Sequence, residues 1–130
     1  MLDTNICIYI IKNKPQQVKK KFQSFNIGEL YLSSITVSEL LYGAYKSLYT
    51  EKNLKAIENF LLPFEIVDYD CNAASEYGKI RACLEKKGQV IGNMDMQIAA
   101  HSISLDMPLV TNNTKEFQRV PKLMLENWVN

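Results

Sequence analysis

Four acidic residues stand where apolar runs give way to helical patterns: Asp3 after Met1-Leu2, Glu39 after the run Leu30 to Ser34, Asp95 at a helix start, and Glu116 beyond Val110-Thr111. Hard carboxylate oxygens suit Mg²⁺ or Mn²⁺, ions that keep several waters free for contact with a phosphate. An ion held in this way can polarise a phosphoryl oxygen and lower the pKa of a bound water, so hydrolysis needs no histidine base. The sole histidine, His101, lies mid-helix and reads as a packing or surface residue.

Each acid also has an ordinary reading. Thr36-Val37-Ser38-Glu39 fits a capping box in which Glu39 reaches back to the Thr36 amide. Asp95 could complement a helix dipole, Asp3 could cap a helix starting near Asn5, and Glu116 could be a solvated surface acid. Thr111, at a strand end, could bond an acid or a phosphate, or simply form a turn. Chemistry is implied only if the fold brings these residues together.

The elements that would do so alternate. Leu30 to Ser34 reads as a strand feeding a helix capped by Thr36, with Val37, Leu40, Leu41, Tyr45 and Leu48 on its apolar side. A helix over Glu51 to Leu62 stops at Pro63, and Phe64 to Asp68 follows as a strand. A helix near Asn72 to Lys87 ends before Gly88, another spans Met94 to Leu105, Pro108 to Thr111 forms a strand, and Leu123 to Leu125 an edge strand. Such alternation predicts an α/β fold with a mainly parallel central sheet and helices on both faces. Ligands of these sheets bind beyond the carboxyl ends of the strands, where all four acids fall. Only Met1 and Leu2 precede Asp3, so either the first strand is very short or a few apolar residues are missing before it.

Bulk properties narrow the class. A chain of 130 residues with 47% hydrophobic composition suits one domain, 1–130, without a repeat or linker. A net charge of +1 gives no global field for a polyanion, so nucleic-acid contact would rest on local patches. Lys19-Lys20-Lys21 is the densest basic run, and Arg81, Lys86, Lys87, Lys115 and Arg119 are further phosphate contacts to consider. The three cysteines lack zinc spacing, no apolar stretch is long enough for a membrane span, and no basic leader precedes one. A cytoplasmic, membrane-free protein is expected.

Met1-Leu2-Asp3-Thr4-Asn5, Ser38-Glu39-Leu40-Leu41-Tyr42-Gly43, Gly92-Asn93-Met94-Asp95 continuing through His101, and Leu109-Val110-Thr111-Asn112-Asn113 with Glu116-Phe117 resemble the PIN-domain family, in particular its VapC toxin branch. The likeness covers essentially the whole chain, to Glu126-Asn127-Trp128. It implies a three-layer α/β/α PIN-like fold and a Mg²⁺- or Mn²⁺-dependent endoribonuclease. Asp3, Glu39 and Asp95 take the positions of the family's acids, with Asp3 and Asp95 as metal ligands. Many family members carry an Asp where this chain has Asn113, so Glu116 becomes the fourth acid. Asn113 is left to orient water or phosphate, with Asn5 and Thr111 in support.

The implied partners are structured RNA such as tRNA, a VapB-type antitoxin that alone meets operator DNA, and a second copy of the chain through Tyr42, Tyr45, Leu48 and Tyr49. The alternative is a non-catalytic dimeric module whose acidic crevice receives a basic partner. A haloacid-dehalogenase-like phosphatase is disfavoured because position 5 is Asn5, and a receiver domain because no early acid pair is present.

Overall fold

The computed structural model describes residues 1–129; Asn130, the last residue of the expected domain, lies outside the described residues. The elements run α1 (Thr4–Lys12), α2 (Gln16–Gln23), β1 (Tyr31–Ser33), α3 (Ser34–Tyr45), α4 (Thr50–Leu61), β2 (Glu65–Val67), α5 (Cys71–Lys86), α6 (Asn93–Ser104), β3 (Leu109–Val110), α7 (Thr114–Phe117) and β4 (Leu125–Glu126).

The first three residues hold the sheet together. β1 pairs in parallel with β2, and β3 in parallel with β4. Between these pairs runs Met1-Leu2-Asp3: the Leu2 amide donates to the Tyr31 carbonyl at 3.1 Å, the Asp3 amide to Val110 at 3.0 Å, and the Val110 amide to Met1 at 2.7 Å. The spatial order is therefore β2, β1, residues 1–3, β3, β4. These three residues are extended because both neighbours bond to them.

Successive strand residues point to opposite faces. Leu2, Leu32 and Val110 join a core with Ile6, Ile10, Val18, Leu40, Ala44, Ile57 and Trp128 from the first four helices and the chain end. Met1 and Leu109 join the other core, with Ile80 and Leu84 of α5, Met96, Ile98 and Ala99 of α6, and Phe117. Two cores divided by one sheet make the three-layer α/β/α arrangement.

Local chemistry sets the helix ends. The Asp3 carboxylate accepts from the Ile6 amide at 2.9 Å and starts α1, one residue before the expected Asn5. α1 ends at Asn13 in the left-handed conformation, φ 60°. α5 begins under Asp70, which accepts from Ala73 at 3.0 Å, and its chain turns away at Gly88, φ +64°, where glycine carries no steric penalty.

Some boundaries differ from expectation. Ser33, not Thr36, caps α3 by accepting from the Ile35 amide at 3.1 Å; Thr36 is fully buried inside the helix, so the Thr36–Glu39 capping box does not form. The edge strand is Leu125–Glu126 rather than Leu123 to Leu125, because the ladder partners of Leu109 and Val110 fix its register. α7, only one turn long, was hidden by its length, and it is the element that carries Glu116.

Trp128 ties the chain end to this frame: it is 6% exposed and stacks on Phe25, with ring centroids 5.6 Å apart. Trp128→Ala should cost ~3–5 kcal/mol of stability through lost burial and an unfilled cavity. Urea unfolding monitored by far-UV circular dichroism measures it; a change below ~1 kcal/mol would show that the C-terminal segment is not part of the cooperative core.

Candidate active site

A cavity of about 680 Å³ opens where α1, α3 and α6 meet. α1 contributes Asp3, Thr4, Asn5 and Ile8. α3 contributes Ser38, Glu39, Tyr42 and Gly43, with Lys46 just past its end. α6 contributes Met94 and Asp95. Three of the four sequence-predicted acids therefore share one crevice.

Asp3 is the most enclosed, at 3% exposure. Burial raises its pKa, and the neighbouring Glu39 charge raises it further. Opposing these are the Thr111 side chain and the amides of Ile6 and Asn5, which hydrogen-bond the ionised carboxylate. Thr111 is itself buried and accepts from the Asn113 amide at 3.0 Å, so the β3–α7 turn is fastened to Asp3 through one hydroxyl. Asn5 is exposed at the cavity wall.

Glu39 accepts a short hydrogen bond, 2.5 Å, from the Thr4 hydroxyl, which fixes α3 against α1 at the crevice. Asp95 sits in the first turn of α6, half-buried, with its pKa pushed up to about 6 by burial first and then by the charges of Glu39, Asp3 and Glu116. Glu116 does not line the cavity, but its charge reaches Asp95, and its carboxylate accepts from the Asn113 side-chain amide at 3.3 Å. Asn113 thus holds Glu116.

The carboxylates suit a hard cation. Among the described residues no three acidic, histidine or cysteine side chains are grouped so that together they could hold a metal ion. An open set of mutually repelling carboxylates fits an ion such as Mg²⁺, which binds through one or two of them and keeps its waters.

A family model for the PIN domain matches residues 1–123. The chain belongs to the PIN-domain family. This PIN domain is 47% identical over 128 residues to the tRNA(fMet)-specific endonuclease VapC of Salmonella typhimurium, covering 98% of this chain and 96% of that one. It is 50% identical over 129 residues to Ribonuclease VapC2 of Haemophilus influenzae, covering 99% and 97%. Its fold superposes with a TM-score of 0.92 and 43% identity on a chain of the Rickettsia felis VapBC2 complex bound to a promoter DNA fragment, over 98% of this chain and 97% of that one.

Sequence reasoning missed the cation of this crevice. None of Lys19, Lys20, Lys21, Arg81, Lys86, Lys87, Lys115 and Arg119 lines it; Lys46 does. The signal was available, because Tyr42, Gly43 and Lys46 lie three, four and seven residues after Glu39, on the helix face that the acid defines. His101 is a buried packing residue: its Nδ1 lies 2.7 Å from the Ser33 hydroxyl, its ring meets Tyr69 edge-on, and burial lowers its pKa. No described helix is long and apolar enough to cross a membrane.

The Asp95 environment gives a signed pH dependence. The unfolded chain releases this proton near 3.8, the folded protein near 6, so raising pH across that interval favours unfolding when no cation is bound. The full linkage is on the order of 3 kcal/mol, and solvent screening of a half-buried group leaves roughly 1–2 kcal/mol. In chelator at pH 7, Asp95→Asn should therefore be more stable than wild type by about that amount, and the gap should close near pH 4. Denaturant melts at the two pH values check it; a variant less stable at pH 7 would assign Asp95 to helix capping alone.

Proposed function

We propose that this PIN domain is a metal-dependent endoribonuclease, the toxin of a VapBC-type toxin–antitoxin pair. The observation that carries the reading is the convergence of Asp3, Glu39 and Asp95 in one crevice, in a chain 47–50% identical to proteins named as VapC ribonucleases. Asp3 and Asp95 are the residues that would hold Mg²⁺ or Mn²⁺. Bound there, such an ion polarises a phosphoryl oxygen and lowers the pKa of a coordinated water.

The chain's own residues do the positioning. Thr111 and the α1 amides hydrogen-bond Asp3 and oppose the rise in its pKa that burial imposes. Thr4 orients Glu39, and Asn113 orients Glu116, so both glutamates are set to accept hydrogen bonds from waters approaching a phosphate. Asp95, titrating near 6, holds a proton in acid and offers a full charge above neutrality.

The Salmonella relative is named for its action on tRNA(fMet). We carry over structured RNA of the tRNA class as the substrate and the cytoplasm as the compartment. A VapB-type antitoxin is the proposed partner, and DNA is met only through it. An apolar groove beside the crevice supports that partner: Ile8, Ile11, Leu40, Ala44 and Ile57 line it, and Glu39 and Gly43 are common to groove and crevice. An amphipathic segment seated there would bring an Arg or Lys to the acids, replacing the metal's charge. Of the four residues expected to meet a second copy, Tyr42 lines the crevice; Tyr45, Leu48 and Tyr49, 66%, 95% and 70% exposed and outside that lining, are the proposed face.

The test is cleavage of a tRNA pool by purified protein in Mg²⁺, with and without chelator. Activity should disappear in chelator and fall by more than ~100-fold in Asp3→Asn and Asp95→Asn, beyond the loss typical of residues that only support metal ligands. Equal cleavage in every sample would instead identify a contaminating nuclease and leave the non-catalytic binding module as the better account.

A further inference from the structure

The crevice poses an electrostatic problem, since its acids repel the polyanion that the ribonuclease reading requires. Among the described residues lining it, one cation faces them: Lys46. Its ammonium lies 5.0 Å from the centroid of the Tyr42 ring, and Tyr42 is 66% exposed. Tyr42 lies about one turn beyond Glu39 on α3, and Lys46, the residue just past the helix end, about two turns beyond it.

We infer that Tyr42 and Lys46 form a nucleotide-binding subsite, in which a base next to the scissile phosphate stacks on Tyr42 while Lys46 takes the adjoining phosphate; this rests on the ribonuclease reading. Four observations carry it. Tyr42 lines the crevice itself, whereas the exposed Tyr45, Leu48 and Tyr49 do not. The lysine now over the ring is a placeholder that a nucleotide can displace, because base–aromatic stacking is stronger than an exposed cation–π contact, and the ammonium gains a phosphate in the exchange.

Gly43 lies between Glu39 and Lys46, where an added Cβ would meet nothing within 4 Å. Packing therefore does not require glycine there, and its effect is to keep the wall open along the path from the acids to the lysine. Met94, 45% exposed, also lines the crevice and adds a soft apolar surface to it.

A ring that must be covered by a base selects the substrate. Bases inside a duplex are already stacked on both sides, so the subsite takes an unpaired nucleotide, in a loop or a single strand. It thereby chooses which phosphate of a structured RNA reaches the acids.

The experiment maps the wild-type cut in a hairpin RNA with an unpaired loop, then measures kcat and KM for Tyr42→Ala, Tyr42→Phe and Lys46→Ala. The substrates are that RNA and versions with an abasic nucleotide on either side of the cut. Tyr42→Ala should raise KM about tenfold on the intact RNA with kcat within about twofold, Tyr42→Phe should behave as wild type, and one abasic substrate should erase the difference. Lys46→Ala should raise KM and flatten its salt dependence.

A wild type that cuts no RNA overturns the nuclease reading and the subsite with it. A wild type that cuts, beside a Tyr42→Ala variant of equal KM on every substrate, overturns the subsite alone. So does a Tyr42→Ala variant that loses only its inhibition by a basic amphipathic peptide, which would make Tyr42 a protein contact.

Discussion

The constraint on which the rest depends is the burial of the Asp3 carboxylate at the middle of the sheet. A charge at 3% exposure is costly unless every available donor is turned toward it. Three donors answer that requirement: the amides at the start of α1 and the Thr111 hydroxyl at the end of β3. The first strand delivers Asp3 to this point by pairing with Tyr31 on one side and Val110 on the other. The same carboxylate that begins α1 therefore also marks where the carboxyl ends of neighbouring strands can gather other acids. Helix capping and site formation are here two consequences of one placement.

α3 shows how one helix serves the core and the crevice together. Leu40 and Ala44, four residues apart, are buried against the sheet. Glu39, Tyr42, Gly43 and Lys46 repeat at intervals of three and four and form the neighbouring stripe. Because the stripes adjoin, the packing that seats Leu40 also sets the angle at which Glu39 meets Thr4. His101 secures the same helix from the far side, through the Ser33 hydroxyl that caps it, and so links α6, the bearer of Asp95, to the start of α3.

What was legible in the sequence follows from which forces are local. Alternating strands and helices, the Pro63 stop and the Gly88 turn are local signals, and they gave the layered α/β architecture. The rule that binding groups gather at strand ends led to the expectation that Asp3, Glu39, Asp95 and Glu116 meet; the first three line one crevice and Glu116 does not. The cap of α3 was misassigned because Ser33, Ser34 and Thr36 are chemically interchangeable as caps; only the end of β1, set by pairing with β2, selects Ser33. Residues 1–3 and α7 are too short to show a period, and tertiary bonds define them. Basic residues were the least legible: density along the chain favoured Lys19-Lys20-Lys21, whereas helical phase placed Lys46 at the acids.

The raised pKa of Asp95 and the geometry of the two adjoining cavities bear on each other. Carboxylates that repel one another bind any cation more readily than isolated ones would, because the cation removes an existing penalty as well as adding an attraction. A metal ion, a proton and a basic side chain thus compete for one electrostatic vacancy. A side chain from another protein competes well only if the rest of its segment is held nearby, which raises its effective concentration at the acids. The apolar groove shares Glu39, Ile8 and Gly43 with the crevice, so a segment seated in the groove has its basic residue already at the charges that need it. Inhibition by such a segment would then follow from the contiguity of an apolar slot and an acidic one.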